Sequence, residues 1–225
     1  MNTRSLEARQ NSRPHCDPTV TSCRWTQQAQ AANPKEADRC LRSLSLTKAQ
    51  QGNYSEAIVL LSQLIDRHPQ NAIDYNNRGL VYFQSGQLDE AFADYNRAIQ
   101  INPRLSSAYN NRANYYAACG QLREALTDYD WAIDLHPSYV RAWINRGITL
   151  RDLGQYEQAI ENFDLAGMLG QLEGHVYAER GRTYHLWGDW NCAIADYQRA
   201  LTFEPASRLR LQLETWLEQL LSPFF

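Results

Sequence analysis

Few residues in this 225-residue chain have the type and spacing for bond-making chemistry. The five cysteines, Cys16, Cys23, Cys40, Cys119 and Cys192, are an odd, scattered set without a Cys-x-x-Cys. That argues for reduced thiols rather than a disulfide framework. His15, Cys16 and Cys23 supply three metal ligands and no good fourth, whereas structural zinc closes with four at tighter spacing. His68, His136, His175 and His185 show no ligand spacing. There is no phosphate-cradling glycine loop and no nucleophile elbow. The expectation is no catalytic residue, no metal and no cofactor.

The types that do recur are those that recognise other groups. Arg78, Arg112, Arg146 and Arg180 follow one another at steps of 34, and Asp94, Asp128, Asn162 and Asp196 keep the same step. A guanidinium presents a fork of donors to a carboxylate. These pairs are expected to meet and fix helix register, not to act as acids and bases. Asn77, Asn111 and Asn145 keep the step too, and an amide both donates and accepts hydrogen bonds.

The same period runs through the whole middle of the chain. Gly52, Gly86, Gly120, Gly154 and Gly188 are each 34 apart, as are Ala57, Ala91, Ala125, Ala159 and Ala193. The cycles 38–71, 72–105, 106–139, 140–173 and 174–207 cover 170 of 225 residues without an insertion. Within a cycle, a large apolar residue at position 4, a small one at 8 and, at 11, Tyr or Leu (Lys48 in the first cycle) share one helical face. Glycine at 15 ends that helix, where the chain must adopt φ > 0. Ala at 20, a ring or Leu at 24 and a small or aliphatic residue at 27 form the face of a second helix. Pro69, Pro103, Pro137 and Pro205 stop it. One hairpin cannot bury both faces, but stacked neighbours can.

This pattern resembles the tetratricopeptide (TPR) family position by position. The clearest copy runs from Tyr75-Asn-Asn-Arg-Gly79 through Tyr82, Ala91, Tyr95 and Ala98 to Pro103. The resemblance implies an all-α fold: an α-solenoid, a right-handed superhelix of antiparallel hairpins whose first helices line a concave groove. It also implies a non-enzymatic scaffold binding an extended peptide or helix of a partner protein, as assembly factors and co-chaperones do. The groove positions carried over are Asn76, Asn77, Leu80 and Phe83, then Asn110, Asn111 and Asn114. They continue with Arg141, Ile144, Asn145, Ile148 and Arg151, then His175, Glu179 and Arg182. The amide row suits a peptide backbone. The arginines and histidines of cycles four and five suit an acidic group or a C-terminal carboxylate. The carboxylate-clamp pattern for chaperone tails fails in every window, so that role is not expected.

Gly167, Gly170 and Gly174 fall outside positions 8 and 15, and Gln171 replaces the proline. The joint between cycles four and five is therefore expected to be looser or differently angled. Residues 1–37, with few large apolar residues, read as a solvated, disordered tail, and Asn33-Pro34 as the cap and first turn of the first helix. Leu209, Leu213, Trp216 and Leu220 form one stripe of a capping helix near 208–221. That helix, or the convex face, is the alternative working surface, for self-association or a regulatory partner. A net charge of −3 argues against a general nucleic-acid binder, leaving RNA binding a minor alternative. No apolar run reaches membrane-spanning length and no leader is evident, so a cytoplasmic location is expected.

Overall fold

The computed structural model describes residues 33–203 and 208–222. Residues 1–40 and 41–225 form two units; of the first, only the opening of α1 is described. The readings of His15, Cys16, Cys23 and most of the tail lie outside the described residues. The described residues form eleven helices and no strand. They are α1 (Pro34–Gln50), α2 (Tyr54–Arg67), α3 (Ala72–Gln84), α4 (Leu88–Ile101), α5 (Ser106–Ala118) and α6 (Leu122–Leu135). The series continues with α7 (Val140–Asp152), α8 (Tyr156–Met168), α9 (Glu173–Trp187), α10 (Trp190–Phe203) and α11 (Arg208–Leu221). From α3 to α10 each helix packs on the one before and the one after, which is the contact pattern of an α-solenoid. Asn33 Oδ1 accepts from the Lys35 amide at 3.2 Å and α1 begins at Pro34, the cap and first position expected from Asn33-Pro34.

The repeat code becomes packing through size. Position 20 is Ala in every cycle, and Ala57, Ala91, Ala125, Ala159 and Ala193 are fully buried. The rings Tyr95, Tyr129, Phe163 and Tyr197 and the Leu61 side chain occupy position 24, all at or below 2% exposure. They lie over the small residue at position 8. A Cβ on Gly79 would stand 2.8 Å from the Tyr95 ring, and one on Gly147 2.8 Å from that of Phe163. Each hairpin turn passes through the position-15 glycine at positive φ, for instance +80° at Gly86 and +75° at Gly120. The hydrogen bonds Gly86 N–H to Phe83 O and Gln87 N–H to Tyr82 O close the turn at Gly86.

The joint between cycles four and five is built differently. At three other joints the N–H at position 34 bonds to the carbonyl at 31: Asn71 to His68, Leu105 to Asn102 and Tyr139 to His136. The described residues 169–174 lack that bond. Instead α8 stops one residue early, Gly170 takes φ +64°, Leu172 takes φ +56° and α9 starts one residue early. Leu172 is the sole non-glycine at positive φ among the described residues, a conformation that costs L-residues roughly 1 kcal/mol.

Candidate functional site

The arginines at position 7 reach further than their spacing suggests. Arg112 donates from Nε and Nη2 to both oxygens of Asp128 at 2.7 and 2.8 Å, the fork expected within the hairpin. Its third group, Nη1, donates to Asn96 Oδ1 at 2.6 Å, on the second helix of the preceding hairpin. Arg78 repeats this with Asp94 and Ser62, and Arg180 with Asp196 and Asp164. Arg146 bonds Asn162 and Asp130. Each guanidinium thus bridges three helices, and the bond to Asp94 raises the pKa of Arg78 further above its ordinary value. Sequence reasoning missed the residue at position 25. The signal was present, since Ser62, Asn96, Asp130 and Asp164 are all acceptors at the 34-residue step.

The amides of the first helices pair with one another. Asn111 Nδ2 donates to Asn76 Oδ1 at 3.0 Å and Asn110 Nδ2 to Asn111 Oδ1 at 3.3 Å. Asn145 Nδ2 is shared between Asn110 Oδ1 and Asn114 Oδ1, and the Tyr129 hydroxyl donates to Asn114 at 2.6 Å. Asn76, Asn110 and Ile144 are buried. This corrects the expectation that position 5 faces a partner: those side chains sit at the helix–helix contact. Asn77, Leu80, Phe83, Asn111, Asn114, Asn145 and Ile148 are half-exposed. Arg141 and His175, both at position 2, are exposed. Ile73 holds position 2 of the second cycle at 51% exposure.

Of the arginines at the basic end expected in cycles four and five, one is paired with an acid and one is covered by a ring. Arg151 Nη1 is 2.6 Å from Glu179 Oε2. The guanidinium carbon of Arg182 lies 4.9 Å from the centroid of the Trp216 ring of α11, and that ring stacks on Tyr197 at 5.4 Å. The Tyr197 hydroxyl meets His185 Nδ1 at 3.2 Å. Burial pushes the Tyr197 phenol up to about 12, and burial followed by the Arg182 charge lowers the His185 pKa. Arg141 and His175 are what this end presents to solvent. Among the described residues no group of His, Cys, Asp and Glu is arranged to hold a metal, and no helix is long and apolar enough to cross a membrane.

Family models for the tetratricopeptide repeat match residues 47–86, 72–105 and 110–167. The chain belongs to the TPR family. No curated protein matches it by sequence. Solved structures share the fold. A thermophilic TPR protein of Thermus thermophilus is 20% identical, covering 80% of this chain and 98% of its own, with a TM-score of 0.72. PilW, described as a widely conserved type IV pilus biogenesis factor, is 19% identical over 84% of this chain and 87% of its own, with a TM-score of 0.73. PilF of Pseudomonas aeruginosa is 21% identical over 82% and 84%, with a TM-score of 0.70.

Proposed function

We propose that this TPR protein is a non-enzymatic scaffold that holds a partner protein by a peptide or helix laid along its first helices, with the chain divided into five repeats over 38–207 and a terminal helix. The observation that carries this reading is the strip of half-exposed side chains on α3, α5 and α7. Leu80, Phe83 and Ile148 offer apolar contact there. Asn77, Asn111, Asn114 and Asn145 sit beside them, with the last three held in place by the amide ladder. A side chain already fixed by its neighbours loses little entropy on binding. An amide accepting in the ladder still has capacity to bond a peptide group. The edge at position 2, Ile73, Arg141 and His175, selects the partner by charge and shape.

The test is affinity capture with wild type beside Ile73→Asp/Arg141→Glu, both at exposed positions so that folding is spared. A partner recovered by wild type and reduced at least tenfold with the variant supports the reading. A partner held equally by both sinks it.

A further inference from the structure

By count along the sequence, α11 stands where the first helix of a sixth repeat would, and it packs on α10. In the complete repeats a first helix meets its own second helix through three recurrent register pairs, and in the first cycle through a fourth. Position 4 meets 26, as Tyr75 with Arg97, Tyr109 with Trp131 and Tyr177 with Arg199. Position 7 meets 23, as in the Arg112–Asp128 fork. Position 8 meets 24, as Gly79 with Tyr95. Position 11 meets 19, as Lys48 with Glu56 at 2.6 Å. Counting on from residue 208, α11 places Leu211, Glu214, Thr215 and Glu218 at positions 4, 7, 8 and 11.

One face of α11 is already used. Leu213 and Leu217 are buried with Tyr197 and Ala200, and Leu209, Trp216 and Leu220 pack around them. The register face is open: Leu211 is 68% exposed, Leu221 59%, and Thr215 and Glu218 are exposed. Glu214 pairs with Arg210 of its own helix at 2.9 Å. Beside this face lies an open hollow of about 460 Å³ lined by Glu214, Leu217, Glu218, Leu221 and Ser222.

Each acid on this face stands where at least one other repeat carries a base. Position 7 is Arg in cycles two to five and takes an acid or amide at 23; here it is Glu214. Position 11 is Lys48 in the first cycle and takes Glu56 at 19; here it is Glu218. We infer that α11 is a docking site for a basic amphipathic helix of a partner protein, which takes the place of a second helix and completes a sixth repeat. The register dictates its pattern: Lys or Arg opposite Glu218, a small residue next to it, Lys or Arg four residues after the first, then an aliphatic residue over Thr215. The aliphatic choice follows the first cycle, where a hydroxyl residue, Ser45, holds position 8 and Leu61 holds 24. A second copy is a poor occupant, because two α11 faces meeting bring four carboxylates together. This surface is separate from the strip on the first helices.

The probe is a peptide with the sequence of residues 54–67 carrying Glu56→Lys and Leu60→Arg. Its control keeps Glu56 and carries Leu60→Glu. Fluorescence anisotropy with the full chain is expected to show the basic peptide binding at least tenfold tighter than the acidic one. Glu214→Lys/Glu218→Lys, at exposed positions and checked for helicity by circular dichroism, is expected to reverse that order. Equal affinities, no binding, or an order unchanged by the variant overturns the inference. So does a chain that dimerises at the peptide-binding concentration and reverts to monomer in the variant, since that makes a second copy the occupant.

Discussion

Tyr95 and Tyr129 fill the same slot in successive repeats but differ in what their hydroxyls meet. Tyr129 donates to Asn114, at position 9. The residue at position 9 beneath Tyr95 is Leu80, and the buried Tyr95 hydroxyl has no protein partner among the described residues. Burial raises the pKa of both phenols. In the fourth repeat the pairing is Phe163 with Ile148, apolar on both sides. An unpaired buried hydroxyl costs stability, whereas a paired one contributes about 1 kcal/mol. Tyr95→Phe is therefore expected to leave stability unchanged or raise it. Tyr129→Phe is expected to lower it by about 1 kcal/mol, because Asn114 loses a donor as well. Urea unfolding of the two variants checks the difference, and equal losses would show that the bond to Asn114 does not set the two hydroxyls apart.

At the scale of the element, the guanidinium forks decide how one hairpin sits on the next. Arg112 is 19% and Asp128 5% exposed in their side chains, so removing the arginine alone strands a buried carboxylate. Arg112→Ala is expected to destabilise by roughly 3 kcal/mol. The first repeat carries leucine at the same two positions, Leu44 and Leu60. Arg112→Leu with Asp128→Leu is accordingly expected to recover most of the loss, since exchanging a buried pair for packed side chains is often near neutral. A thermal-melt double-mutant cycle measures it. A double variant as unstable as Arg112→Ala would mean that the bond to Asn96, not the fork, holds the hairpins together.

At the scale of the whole molecule, a repeat array is stabilised by contacts between neighbours, so its weakest joint opens first. Residues 169–174 lack the amide bond found at the three preceding joints and hold Leu172 in the left-handed region. Amides there are expected to exchange at least tenfold faster than those at 68–71, 102–105 and 136–139. Exchange at the same rate would mean that the different path is as well supported as the regular one.

The sequence by itself determined the repeat unit and the contacts inside it. Position 8 against 24 and position 7 against 23 were legible because both partners lie in one 34-residue cycle, and size or charge changes at both together. Leu44 with Leu60 gave way to Arg with Asp or Asn at the same step. Contacts between repeats were harder to read, because they depend on how far each hairpin is rotated on the last. That rotation buries Asn76 and Asn110, turns Asn111 and Asn145 toward them, and brings Glu179 onto Arg151. It also seats Trp216 over Arg182, which covers one face of a guanidinium that the sequence left open. The stripe on α11 was readable from spacing, but which face stays exposed was decided only by its seat on Tyr197 and Ala200. Local periodicity specifies which residues share a helix face; only the packed stack decides which of those faces still meets water.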